Sequence, residues 1–318
     1  MMAGSARWCW NGGYKIVTRL QDVLQEAGRA KVAVGHFNVS DSVTLRAVTE
    51  AARELKLPVL VGVSEGEREF IGVRQISALV KSIRGECGQP VYLNADHTHS
   101  LPNAAEAARA GFDMILFDHA SLEFEENARE TRRAVEAIKS INPEIVVEGE
   151  IGYIGASSKV LDEIPEGAGQ LTTPEQAKEF TTATGVDVLA PAVGNMHGML
   201  RSMVQGREKN HLDVERIRAI RDMIGLPLTL HGGSGTDDDD FRNAIQAGIT
   251  IVHINTEVRL AWRKGMQAAL GKQWDEVTPY KLLLGPLEAV KKVVRARLEL
   301  FSQRPGEANA SRSVSSSQ

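Results

Sequence analysis

"PVYLNADHTHSLPNAAEAARAGFDMILFD", residues 90–118, holds the alternation that decides the fold. An apolar run, Val91-Tyr92-Leu93, ends in Asn94, Ala95, Asp96 and His97. "LPNAAEAARAG" follows, with small apolar residues at helical spacing and a closing glycine. A second apolar run, "DMILFD" (113–118), completes the unit and again ends on an acid. Strand, helix and strand over about thirty residues make one βαβ unit. Nearly continuous apolar runs of this kind belong to parallel strands covered on both faces.

The same rhythm extends both ways along the chain. Strand patterns precede the unit at "KVAVGHFN" (31–38) and "PVLVGVS" (58–64). They follow it at "EIVVEGE" (144–150), "VDVLAPAV" (186–193), "LPLTLHG" (226–232) and "ITIVHIN" (249–255). Helical patterns separate most of them, among them "SVTLRAVTEAARELK", "ENARETRRAVEAIKS", "LDVERIRAIRDMIG" and "DDDDFRNAIQAGI". The run Asp237 to Asp240 stands where a helix N-terminus favours negative charge, so it reads as capping rather than metal binding. Eight strands alternating with helices predict an α/β fold, a (β/α)8 TIM barrel. An open doubly wound sheet is the alternative, weakened by the lack of a GxGxxG after the first strand.

The barrel pattern spans residues 15–301. Residues 1–14 read as a loose N-terminal arm without the continuous apolar core of a signal peptide. Residues 302–318 are Ser-rich and read as a disordered tail. A net charge of -4 attracts neither nucleic acid nor an anionic membrane, so any phosphate must be held by a local site. Two cysteines, Cys9 and Cys87, form neither a metal motif nor a disulfide framework, which points to a reducing, cytoplasmic compartment. No apolar run reaches the roughly 18 residues of a membrane helix.

In such a barrel the chemistry lies at the C-terminal ends of the strands. There the sequence places His36 and Asn38, Ser64, Asp96 and His97, Asp118 and His119, and Glu148 and Glu150. "GNMHG" then brings His197, "HGGSG" brings His231, and the eighth strand ends in His253, Asn255 and Thr256. Only His99 and His211 of the eight histidines fall outside this pattern and read as surface residues. His97, His197 and His231, with Asp96, Asp118 and Glu150 nearby, suit Zn2+ with one position open for substrate. Taken singly, each reads better as a hydrogen-bonded histidine at a strand end; the three together at a barrel mouth favour the metal. "LHGGSGT" is a second signal: Gly232, Gly233 and Gly235 let backbone N–H groups approach an anion, and Ser234 adds a hydroxyl. The "NTE" beginning at Asn255 supplies further donors, and the loops after the seventh and eighth strands are the usual phosphate position in this fold.

Together these residues resemble the class II, metal-dependent fructose/tagatose-bisphosphate aldolase family. The resemblance runs from about residue 15 to 301 through "GHFNVSD", "VSEG", "ADH", "FD", "VEGEIG", "TTPEQAKEFTTATGVDVLAPAVGNMHG", "LHGGSG" and "NTEVR". It implies that His97, His197 and His231 hold a catalytic zinc, with Glu150 and Asp118 at a secondary or alternative metal position. It implies that Asp96 moves the proton of the substrate's C4 hydroxyl. Gly198, Gly232, Gly233, Ser234, Asn255 and Thr256 fall in motifs that bind the phosphate of dihydroxyacetone phosphate, often beside a monovalent cation, Na+ or K+. Asn38, Ser64 and His253 match substrate-side positions, and Arg259 matches one that reaches the far phosphate. A homodimer or homotetramer is the implied assembly.

The chain departs from the family pattern in three places. Ser157 and Ser158 stand where the loop after the fifth strand usually carries acids, so Asp162, Glu163 or Glu166 is expected to replace them. His253 stands where asparagine is usual, and Asn255 where aspartate or alanine is common, which leaves fructose and tagatose configurations open. His119 and Ala120 replace small and hydroxyl residues. The leading expectation is zinc-dependent cleavage of a phosphorylated ketose, with fructose 1,6-bisphosphate first and other sugar phosphates as alternatives. A non-catalytic sugar-phosphate-binding member and a metal-dependent barrel hydrolase are the other readings.

Overall fold

The computed structural model describes residues 19–303 apart from 153, 156–158 and 164–169. The arm 1–14, most of the tail, Ser157, Ser158 and Glu166 therefore lie outside the described residues. In chain order the strands are β1 (Val34–Asn38), β2 (Val59–Val63), β3 (Val91–Thr98), β4 (Met114–Phe117) and β5 (Val146–Ile151). They continue with β6 (Val160–Leu161), β7 (Val188–Pro191), β8 (Met199–Leu200), β9 (Leu228–Leu230) and β10 (Ile249–Ile254). Eight of them close in the order β1-β10-β9-β7-β5-β4-β3-β2, every pair parallel. The ladder between β1 and β10, which sets Val34 beside Ile251 and His36 beside His253, makes a barrel and eliminates the open sheet. The two short strands β6 and β8 pair with each other above it.

Outward-facing strand residues pack against a ring of helices in one large apolar cluster. The lower interior is a separate layer: Val34, Leu60, Tyr92, Met114, Val146, Val188 and Ile251, one from each of seven strands. Helix Leu20–Ala30 seals it from below with Leu20, Val23, Leu24 and Ala27. With the bottom closed by apolar side chains, the upper interior is where polar groups collect: His36, Asn94, Glu148 and His253 are all buried. The helix starts are chemically marked. Asp41 accepts from Thr44 N at 2.6 Å, and Asp237 caps Asp238–Ala247 by accepting from Asp239 N at 2.9 Å. Asp238 pairs with Arg297 at 2.8 Å and Asp240 with His211 at 2.9 Å, so the acidic run serves capping and ion pairing. No helix among the described residues is long and apolar enough to cross a membrane.

Candidate active site and metal centre

Asp96 and His97 are neighbours in the chain yet line one cavity at the C-terminal mouth of the barrel. A regular strand sends successive side chains to opposite faces. Here β3 advances from Ala95 to Thr98 while β4 advances from Ile115 to Phe117, so β3 carries one extra residue. His97 absorbs it with a left-handed φ of 41°.

That bulge brings His97 to His197 and His231, with ring centroids 4.8 and 5.1 Å away. Ligand atoms of His97, Glu150, His197 and His231 all lie within 4.8 Å of one another. The fit to a metal rests on what these atoms lack. His197 Nε2, His231 Nδ1 and Glu150 Oε2 are buried without a hydrogen-bond partner among the described residues. Buried polar atoms are nearly always satisfied, so three convergent unpartnered atoms fit the ligands of a cation. The opposite ring nitrogens are anchored: His97 Nδ1 lies 2.7 Å from Asp118 Oδ2, and His231 Nε2 lies 3.0 Å from Glu148 Oε1. Carboxylates behind ligating histidines fix the tautomer and turn the free nitrogen inward. Three imidazoles and a carboxylate suit Zn2+.

The electrostatics agree. Burial would lower the His97 imidazole, but Asp96 and then Asp118 outweigh it and hold it up at about 10. A field that retains a proton so strongly also favours a metal cation. Burial, reinforced by Asp118, pushes the Glu150 carboxyl well above its usual range. Burial, with His97 and His231, pushes His197 well down, which keeps it a neutral ligand. Asp96 resists burial because His97 and His253 favour its charge, and it stays ionised.

Asp96 is held from two sides. Its Oδ2 accepts from Asn38 Nδ2 at 2.8 Å, and its Oδ1 lies 3.4 Å from His253 Nδ1. His253 stacks on His36 with centroids 3.5 Å apart and planes 6° from parallel, as their adjacency in the β1–β10 register dictates. Imidazole lone pairs lie in the ring plane, so this stack cannot converge on a second metal together with Asp96. Burial holds His36 down at about 4, a neutral ring beneath the site.

The cavity is further lined by Gly198, Gly232, Ser234, Asn255 and Thr256, residues expected to bind phosphate. Gly232 has φ +59°, and a β-carbon there would collide with the Met196 carbonyl. The two loops are tied together: Glu257 N donates to Ser234 Oγ at 3.3 Å, and Gly235 N donates to Glu257 Oε1 at 3.0 Å. Gly233 donates its N–H to the His253 carbonyl at 3.3 Å. Helix Thr256–Lys272 starts at this point, with its N-terminal end at the cavity.

Several expected residues sit elsewhere. Asp118 stands behind His97 rather than within the four-ligand group. Ser64 starts helix Glu65–Ile71, and its N–H goes to Glu67 Oε2 at 2.8 Å. Arg259 pairs with Glu67 Oε1 at 2.8 Å. Asp162 is exposed and paired with Arg201 at 2.8 Å, and Glu163 is exposed beside it. His119 stacks on Phe117, and the exposed His99 turns Nδ1 to the Asp118 carbonyl. Three roles were not anticipated from sequence: Glu148 behind His231, Glu67 joining Asn38 to Arg259, and buried Arg68 against β3. Only Glu148 had a signal, its place at a strand end.

The chain matches the model of the family described as Fructose-bisphosphate aldolase class-II over residues 18–305. It is 33% identical to the fructose-bisphosphate aldolase of Thermus caldophilus, over 90% of this chain and 98% of that protein. It is 30% identical to the sulfofructosephosphate aldolase of Alkalicoccus urumqiensis, over 88% of this chain and 94% of that protein. Among solved structures, the YdjI aldolase from Escherichia coli K12 superimposes with a TM-score of 0.75 at 30% identity, covering 89% of this chain and 97% of that one.

Proposed function

The chain belongs to the class II fructose-bisphosphate aldolase family, and from that premise we propose that it is a zinc-dependent aldolase of phosphorylated ketoses. The reaction is reversible cleavage of the C3–C4 bond to dihydroxyacetone phosphate and an aldehyde, with fructose 1,6-bisphosphate the first substrate to try. One observation carries the reading: His97 and His197, two members of the four-ligand group, line one cavity with the ionised Asp96. His97, His197, His231 and Glu150 would hold the metal. When bound, Zn2+ supplies a Lewis acid for the negative charge that develops on the ketose carbonyl oxygen.

Asp96 accepts the proton of the C4 hydroxyl. The C4–O electrons then form the aldehyde carbonyl as C3–C4 breaks, and that bond's electron pair stays on the dihydroxyacetone phosphate half. Asn38 and His253 hold the Asp96 carboxylate in place during the transfer. Backbone donors of Gly232 and Ser234, with Asn255 and Thr256, clamp the phosphate and fix the reacting carbons, while Gly233, whose N–H goes to the His253 carbonyl, shapes the turn instead of donating to the phosphate. A Na+ or K+ beside that loop belongs to the same reading. A proton must finally reach the carbon left by the aldehyde, and Asp162, Glu163 or Glu166 is its proposed donor. Arg259 is assigned to the far end of the substrate, and Ser64 to its near side.

A sugar-phosphate-binding protein without cleavage is the second reading, favoured by the outward pairing of Asp162 with Arg201. We further propose a homodimer or homotetramer in the cytoplasm. The assembly is supported by exposed Leu270, Trp274, Val277, Tyr280 and Leu284 within one short stretch, Trp274 and Val277 each at 87%. The deciding experiment measures aldehyde release from fructose 1,6-bisphosphate and tagatose 1,6-bisphosphate, with chelator and with zinc restored. Cleavage lost to the chelator and regained with zinc supports the aldolase, and the faster sugar fixes the C4 configuration. Zinc-loaded protein that cleaves neither sugar leaves the binding protein.

A further inference from the structure

The bulge in β3 has a specific clamp. Arg68, only 4% exposed, reaches in from helix Glu65–Ile71. Its Nη1 donates to the Val63 carbonyl at 2.6 Å and to the Asp96 carbonyl at 3.1 Å. Its Nη2 donates to Thr98 Oγ1 at 3.0 Å. Val63 ends β2 and pairs with Ala95, so the guanidinium supplies donors where the β2–β3 ladder stops. Two of the three bonds bracket His97, with the Asp96 carbonyl before it and the Thr98 hydroxyl after it, and the third ties the fork to the end of β2. A non-glycine residue keeps a left-handed φ only where its surroundings over-determine it. At His97, with φ 41°, the bracketing guanidinium does so.

We propose that Arg68 is a positioning residue of the metal centre: it holds the β3 bulge that aims His97 at His197, His231 and Glu150. It touches neither metal nor substrate, yet metal affinity and coordination geometry depend on it. The proposal rests on the metal-centre reading above. It requires the planar guanidinium fork, since an ammonium presents its three donors from one nitrogen and cannot reach acceptors served here by two separate nitrogens.

The test compares wild type, R68M, R68K and H231A. Zinc affinity is read by chelator competition, coordination by the visible spectrum of the cobalt-loaded protein, and folding by circular dichroism. R68M keeps the aliphatic stem and loses every donor. It is expected to bind zinc 10- to 100-fold more weakly, the usual effect of losing a group that orients a ligand, with a shifted cobalt spectrum. R68K should recover only part of that loss. A folded R68M with wild-type zinc affinity and an unchanged cobalt spectrum overturns the proposal, even if its melting temperature drops. If R68M does not fold, R68K is judged by the same two readouts. Wild type that takes up no more cobalt than H231A sinks the metal centre itself, and the role of Arg68 with it. That outcome is distinct from a wild type that binds cobalt and an R68M that matches it.

Discussion

At the scale of single residues, two of the four candidate ligands, His97 and His231, are each backed by a carboxylate. His231 offers Nδ1 to the ligand cluster because Glu148 takes Nε2. Replacing Glu148 with glutamine keeps the volume and removes the charge that makes the ring a strong ligand. E148Q should weaken zinc binding by about tenfold or more, measured by chelator competition, and an unaltered affinity would detach Glu148 from the centre. Gly232 makes a different demand. Its φ of +59° and its approach to the Met196 carbonyl leave no room for a side chain. G232A should cost roughly 1–3 kcal/mol of stability and weaken phosphate-ester binding in calorimetry. A G232A protein that melts and binds like wild type would show that the turn has another solution.

At the scale of elements, what the sequence disclosed and what it hid divide along one physical line. Barrel strands are covered on both faces, so β1 to β5, β7, β9 and β10 stand out as apolar runs. The barrel rule then locates His97, His197, His231, Asp96 and Glu150 at their ends. The bulge could not be read, because nothing in "LNADHT" marks a break in the period of two. Glu67 and Arg68 look like solvated charges on a short helix, yet both are buried. Their partners lie far off in the chain: Asn38 and Arg259 for Glu67, Asp96 and Thr98 for Arg68. Only the closed barrel makes such pairs neighbours. In the loop after β5, Asp162 points to Arg201, and Glu166 lies outside the described residues. Among D162A, E163A and E166A, one should lose most of the exchange of the dihydroxyacetone phosphate proton with solvent, followed by NMR in deuterium oxide. Three variants with wild-type exchange would place the proton donor elsewhere.

At the scale of the whole molecule, the candidate centre ties together parts of the barrel that are remote in sequence. His97 comes from β3, Glu150 from β5, His197 from the segment after β7, and His231 from the end of β9. Without a cation, these positions keep buried nitrogen and oxygen atoms that have no partner among the described residues, which weakens the folded state. A metal that binds only the folded chain stabilises it by mass action, by about 4 kcal/mol at a thousand times its Kd. A barrel of this length unfolds with an entropy of roughly 0.6 kcal/mol per kelvin. Zinc restored to chelator-treated protein at that excess should therefore raise the melting temperature by about 7 °C. The gain should shrink in H97A and H231A, which keep the barrel but lose a ligand. Calorimetry showing the same midpoint with and without zinc would mean that the four side chains meet for another purpose. A gain that survives the loss of either histidine would place the ion elsewhere on the molecule.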